Sequence, residues 1–227
     1  MNFTDYSDHF KIKNFISCIS HRDHDYKYIS NIGDFVSNLS LDKKNLVIPN
    51  QTHSNNVLNI NKSGLYEDID GLISNNKKLI LSIRVADCIP LFIYCCKTKY
   101  FGLIHSGWRG TKNKIVSNTI NKMKFLGSDP KEIKVVIGPS INQCCFEVDL
   151  DVSTIFSKNY SKKRNNSKYM LDIKKIVYDE LIESDIPCQN IYLDNDCTYC
   201  IPSKYFSYRR EGEIAGRMIA IAGWSPS

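Results

Sequence analysis

Three short apolar segments follow one another between Leu79 and His105: LILSIRV, PLFIYCC and YFGLIH. Each is too short for a three-turn helix and is rich in β-branched and aromatic residues. Each therefore reads as a buried strand. The spans are Leu79–Val85, Pro90–Cys96 and Tyr100–His105, the last two joined by a Lys-Thr-Lys turn. Consecutive buried strands require a sheet, and an apolar sheet requires further layers to cover it. With 227 residues, 42% of them hydrophobic, the chain can bury a sizeable core without staples, which excludes disorder as a description of the whole.

The remaining elements fit around that centre. Asn45–Ile48 and Val57–Ile60 read as short strands flanking the turn-like PNQTHSNN, and Lys134–Gly138, Asn190–Asp194 and Gly216–Ala222 as later strands. Thr111 is expected to cap a helix with Ile115, Val116, Ile120, Met123 and Leu126 on one face and Gly127 as its stop. A short helix is expected over residues 147–157. A clearer one runs over Asp172–Ser184, capped by Asp172, with Ile173, Ile176, Val177, Leu181 and Ile182 on one face. Strands in clusters with helices between them favour α+β or mixed α/β layers over a regular βαβ winding. Residues 1–45 are polar and weakly patterned, no internal repeat stands out, and the length fits one domain spanning 1–227.

Charge and cysteine usage narrow the class. The formal charge of +6 is largely one stretch, KNYSKKRNNSK, where Lys158, Lys162, Lys163, Arg164 and Lys168 read as a solvated loop. Nucleic-acid binding would need a basic face interleaved with aromatics, so no nucleic-acid partner is expected. Nor is a membrane: there is no 18-residue apolar run and no signal-peptide layout at the start. The nine cysteines are irregularly spaced, with two adjacent pairs, and suit reduced thiols in a cytoplasm better than a disulfide framework. Oligomeric state is not legible in the sequence. Lysines outnumber arginines 23 to 7, so an arginine marks a place where a planar donor fork is useful. Arg84, Arg109, Arg209, Arg210 and Arg217 all lie in or beside motif-like segments.

Three polar residues stand where buried strands end: His53 in QTHSNNV, Cys88 in ADCIPLF and His105 in GLIHSGWRG. Two imidazoles and a thiolate are good zinc ligands that leave a fourth position open. Their separations of 35 and 17 residues are not those of a helical ligand pair. Metal-free chemistry, with Cys88 as nucleophile and His105 as its base, is equally open to these residues. Asp87, beside Cys88, is a candidate acid/base or ligand-orienting group. Cys197-x-x-Cys200 is a lone C-x-x-C; a structural zinc would need two more ligands, and the cysteines other than Cys88 take structural readings. The nucleobase-deaminase zinc signature and glycine-rich phosphate loops are both missing.

QTHSNNV, DGLIS, ADCIPLF, GLIHSGWRG, IGPSI and FSYRREGEIAGRMIA occur in this order across residues 46 to 222. Together they resemble the laccase-domain family, also called multicopper polyphenol oxidase or peptidoglycan-editing factor proteins. Its members are described as purine nucleoside phosphorylases with adenosine deaminase activity. The resemblance implies a four-layer α/β/β/α sandwich with mixed sheets. It implies a zinc site, or a copper one, on His53, Cys88 and His105, with nucleoside and phosphate as substrates. Cys88, His105 and Asp87 then become the candidate catalytic residues. Arg109 becomes the first candidate for phosphate, with Arg209 and Arg210 behind it, since guanidinium binds oxyanions bidentately. The family's peptidoglycan-editing label keeps a second expectation, a metal-free Cys/His hydrolase or amidase acting on cell-wall precursors. Five histidines are too few for a four-copper oxidase. The chain departs from the family pattern in residues 1–45, where only NIGD is familiar, and at Ser106, which replaces the usual alanine.

Overall fold

The buried runs become the centres of two six-stranded mixed sheets in the computed structural model, which describes residues 2–165 and 167–225. The first sheet has the order Phe3–Asp5, Phe15–Ser20, Met218–Trp224, Ile80–Val85, Leu46–Asn50 and Gly64–Glu67. The second has Ile191–Leu193, Ile133–Ile137, Ile89–Cys95, Phe101–Ser106, Gly71–Ser74 and Val57–Asn59. Antiparallel pairs dominate, with parallel pairs at one end of the first sheet and both edges of the second. This is the mixed α/β sandwich expected from the sequence.

Alternation along each central strand explains why both faces are apolar. In Ile89–Cys95, Phe92 and Tyr94 point into the core between the sheets, where they meet Leu81, Ile83 and Val85 of the first sheet. Leu91, Ile93 and Cys95 point the other way, onto the helices Ile115–Phe125 and Ile173–Glu183. On the outer face of the first sheet, Ile80, Ile219 and Ile221 pack against Ile32, Phe35 and Val36 of the helix Ile29–Asn38. The layer order is therefore α/β/β/α. Asp172 caps its helix by accepting from Lys175 N, and Gly127 ends the other at φ +91°.

Four expectations are corrected. The helix expected from Thr111 is two helices, Trp108–Lys112 and Ile115–Phe125, broken at Lys114 in the left-handed region. Thr111 lies inside the first of them, its hydroxyl donating to Gly107 O and meeting Ser106 Oγ. Residues 147–157 hold only one helical turn, Leu150–Ser153, after the strand Glu147–Asp149. The basic stretch is not a loop. Ser161–Lys163 and Lys168–Leu171 form a hairpin in a small third sheet with Glu147–Asp149, where Arg164 pairs with Glu147 and Lys168 with Asp149. Finally, among the described residues the weakly patterned N-terminal part supplies two strands, the single helical turn Ser7–Phe10 and the helix Ile29–Asn38, because its apolar positions are spaced for faces that tertiary packing completes.

Candidate active site

The chain turns sharply at one of the three strand-end residues and immediately before another. His53 has φ 60° and Asp87, which aims Cys88, has φ 87°. Such angles in residues other than glycine cost about 1–3 kcal/mol each and persist only where surrounding bonds hold them. At His53 the holding group is Asp70, which is fully buried at the head of Gly71–Ser74. Its carboxylate accepts from the backbone N–H of Thr52 (3.1 Å), His53 (3.1 Å) and Ser54 (2.7 Å), and from the Ser54 hydroxyl (2.8 Å). The same carboxylate lies 2.6 Å from His105 Nδ1, which fixes that ring and leaves Nε2 for a ligand. One aspartate thus organises both histidines.

The Cys88 sulfur and the two imidazoles offer ligand atoms that all lie within 4.8 Å of one another. The histidine rings meet edge to face, with centroids 4.8 Å apart at 70°. Gly107 closes the cluster from below. A Cβ there would sit 2.9 Å from Cys88 Sγ and 3.0 Å from His53 Cδ2, so only glycine leaves the three side chains room to converge. His105 is buried, Cys88 half-buried and His53 exposed, so the cluster is reached from the His53 side.

The electrostatics follow from this packing. Burial pushes the Cys88 thiol up, but His105 and His53 together outweigh it and bring it down to about 6. Burial lowers His105, while Cys88 and Asp70 raise it to about 9. Burial also raises Asp70, and its bonds to His105 and Ser54 overcome that and hold it near 2. A thiolate and an oriented imidazole, backed by a carboxylate, suit either a thiophilic divalent cation or covalent chemistry.

The cluster forms the floor of a cavity of about 670 Å³. Its walls carry Lys27, Arg84, Arg109, Arg209 and Arg217, and Asp87 is the only acid among its lining residues. Phe146, Trp108 and Tyr208 give it aromatic faces. Arg109 is exposed, its guanidinium 4.4 Å above the Trp108 ring. Arg209 reaches Glu147 O at 2.5 Å and lies over Phe146. Arg210 turns away from the cavity: its guanidinium donates to Thr198 O, Tyr199 O and Tyr205 O and pairs with Glu211. Asp87 accepts from Thr198 Oγ1 (2.6 Å), Ser207 Oγ (3.0 Å) and Arg209 N (2.7 Å), which leaves both of its oxygens engaged.

Sequence reasoning missed Asp70, although DGLIS was among the recognised blocks; a single aspartate heading a buried strand was the available signal. It also missed Lys27 and Gly107 as parts of the site. Arg84 and Arg217 were flagged by the scarcity of arginine but not assigned to the cavity. The C-x-x-C is not lone, contrary to the sequence expectation: Cys197 and Cys200 are joined by Cys144 and Cys145, their sulfurs all within 4.8 Å of one another.

Comparisons with known proteins agree with this architecture. Residues 10–225 match the family described as multi-copper polyphenol oxidoreductase laccase. A purine nucleoside phosphorylase of Staphylococcus aureus strain COL is 33% identical over 201 aligned positions, 82% of this chain and 75% of that protein. One from Staphylococcus epidermidis is 32% identical over 236 aligned positions, 96% and 86% of the two chains. The crystal structure of YlmD from Geobacillus stearothermophilus superposes with a TM-score of 0.88 at 22% identity, covering 94% of this chain and 93% of that one. That of the hypothetical protein YfiH from Bacillus licheniformis gives 0.87 at 23%, covering 92% of each.

Proposed function

The chain belongs to the multi-copper polyphenol oxidoreductase laccase family, and from that membership we propose that it is a zinc-dependent purine nucleoside phosphorylase, with adenosine deamination as a second activity of the same centre. The observation that carries this reading is a single cavity whose floor is a His-Cys-His ligand set and whose walls are cationic and aromatic. Homologues named purine nucleoside phosphorylase support it.

The residues fit the metal. Cys88 and His105 Nε2 converge with His53 over a glycine whose replacement would crowd them, and Asp70 orients the buried imidazole as carboxylates do behind zinc ligands. Three protein ligands and one open side are the arrangement of catalytic rather than structural zinc. Bound there, zinc supplies a Lewis acid that can polarise the purine, or lower the pKa of the water needed for deamination. Copper suits the same donors, but one three-residue set is far from the ligand demand of a four-copper oxidase.

In phosphorolysis a phosphate oxygen attacks the anomeric carbon while the carbon–nitrogen bond to the purine breaks, with the base taking the electron pair. The sugar passes through an oxocarbenium-like state, so the site must hold an anion beside a cationic sugar and brace a flat leaving group. The Arg109 guanidinium makes no hydrogen bond among the described residues and lines the cavity; it receives the phosphate in this reading, with Arg209 on the same cavity's wall. Arg84, Arg217 and Lys27 add field that favours a dianion over a neutral ligand. Phe146 and Tyr208 offer faces against which a purine can lie. Asp87 acts as a positioning residue: it holds the backbone of Arg209. Arg210 clamps the loop carrying Thr198 rather than touching substrate.

A cytoplasmic protein would keep its nine free cysteines reduced, and we propose that location for this chain. No helix among the described residues is long and apolar enough to cross a membrane. The test is metal analysis of the purified protein together with hypoxanthine release from inosine. Cys88→Ala should remove the metal of this centre and the turnover together; full activity in that variant sinks the assignment.

A second reading rests on the Cys88–His105 pair itself. A thiol drawn down to about 6 beside an oriented histidine is an activated nucleophile, as a Cys/His hydrolase or amidase acting on peptidoglycan precursors would need. It predicts chelator-resistant, phosphate-independent turnover that iodoacetamide abolishes.

A further inference from the structure

Outside the cavity, four thiols converge from two loops far apart in sequence. Cys144 and Cys145 lie in the turn before Glu147–Asp149. Cys197 and Cys200 follow the strand Ile191–Leu193. Cys200 Sγ is 3.7 Å from Cys144 Sγ and 3.3 Å from Cys145 Sγ, and all four sulfurs lie within 4.8 Å of one another. Tetrahedral zinc with four thiolates at about 2.3 Å places its sulfurs about 3.8 Å apart. The spacing found is that of a ligand cage rather than of four independent side chains.

Two further observations point to a thiolate site. Cys197 Sγ accepts from the backbone N–H of Asn142 at 3.4 Å, and the N–H groups of Tyr199 and Cys200 also bond to it. A sulfur surrounded by amide donors from the second and third residues after it is built to carry negative charge. The two loops are also stitched to each other independently of sulfur. Ser140 bridges Cys197, Thr198 N donates to Ser140 O at 3.0 Å, and Asn142 Nδ2 donates to Asn195 O at 2.8 Å. The cage is therefore pre-formed, so a metal need not gather floppy loops. Four ionised thiols so close would repel strongly without a cation between them.

We propose that Cys144, Cys145, Cys197 and Cys200 bind one zinc ion as a closed, structural site, distinct from the His53–Cys88–His105 centre. On binding, each thiol loses its proton to solvent and the four sulfurs donate to the metal; no oxidation is involved. Its place in the fold explains what it would stabilise. The loop it fastens carries Thr198, which donates to Asp87, and Thr198 and Tyr199 carbonyls that accept from Arg210. The other loop leads directly into Phe146 on the cavity wall. Such a zinc would lock the ground on which Asp87 and Arg209 stand.

Zinc content, measured on the full chain purified under reducing conditions, separates the two centres. Cys88→Ala, which disables the first centre, should still carry about one zinc per chain, and adding Cys200→Ser should bring that to about zero. Cobalt loaded into Cys88→Ala should give strong thiolate-to-cobalt charge transfer and intense tetrahedral visible bands. The cobalt spectrum needs no second mutation, so the inference stays testable if the double variant does not fold. Metal-free Cys88→Ala after zinc addition, weak octahedral cobalt bands, or a disulfide between these loops in the absence of metal would each overturn it.

Discussion

The two cysteine clusters differ in almost every physical respect. The first mixes one sulfur with two imidazoles, rests on a buried carboxylate and opens into a cationic cavity. The second has four sulfurs, amide donors around Cys197 and no cavity residue among its members. As ligand sets for one tetrahedral ion, the first would leave a position free for a reactant, while the second would fill all four. What separates chemistry from scaffolding here is the unfilled position and the charged wall facing it, not the number of cysteines.

Mutations can break or sharpen this contrast. The largest effect is expected from Cys88→Ala, which removes one of three ligands. It should cut phosphorolysis by roughly a thousandfold or more, a range familiar for loss of a residue at the reacting centre, while leaving the second metal in place. Asp70→Asn should follow. It keeps the shape but weakens the hold on His105, so affinity for the first metal should fall by about 10–100-fold, with the second unaffected; equal loss at both centres would mean a folding defect. Arg109→Ala should raise KM for phosphate by about 10–100-fold, the worth of a charge-assisted hydrogen bond to an anion, with kcat for deamination little changed. Gly107→Ala tests the cradle: the added methyl should shift metal affinity at the first centre by about tenfold, in line with an overpacking penalty of about 1–3 kcal/mol. The smallest effect on turnover is expected from Cys200→Ser. It should lower the thermal midpoint and the second metal's occupancy, yet reduce kcat/KM only several-fold, roughly 1 kcal/mol of lost positioning.

Cys88 and His105 were legible because each interrupts an apolar run beside a strand end, where a polar side chain needs a reason, and His53 because it stands in the short polar turn between two strands. The central strands were legible for the complementary reason, since both of their faces are buried. Asp70 was not, because its importance lies in five bonds made to residues that are near it only after folding. The four-cysteine cage escaped for the same cause. Cys144 and Cys145 are adjacent, unlike the spaced pairs of zinc fingers, and their partners arrive from a loop about fifty residues later. The basic hairpin was hidden because its cations look solvated in sequence, while the acidic partners of Arg164 and Lys168 sit on the neighbouring strand. Thr111 looked like a cap and is a helical residue, since Gly107 begins the helix four residues earlier.

In the proposed function the His-Cys-His centre and the cationic wall act together on a nucleoside and phosphate. The most direct measurement follows inosine with the purified metal-loaded protein, with and without phosphate, identifying both products. Hypoxanthine and ribose 1-phosphate should form in equal amounts, only with phosphate, and be lost on chelation and restored by zinc. Turnover that ignores phosphate, or persists in full after the metal is stripped, would contradict it.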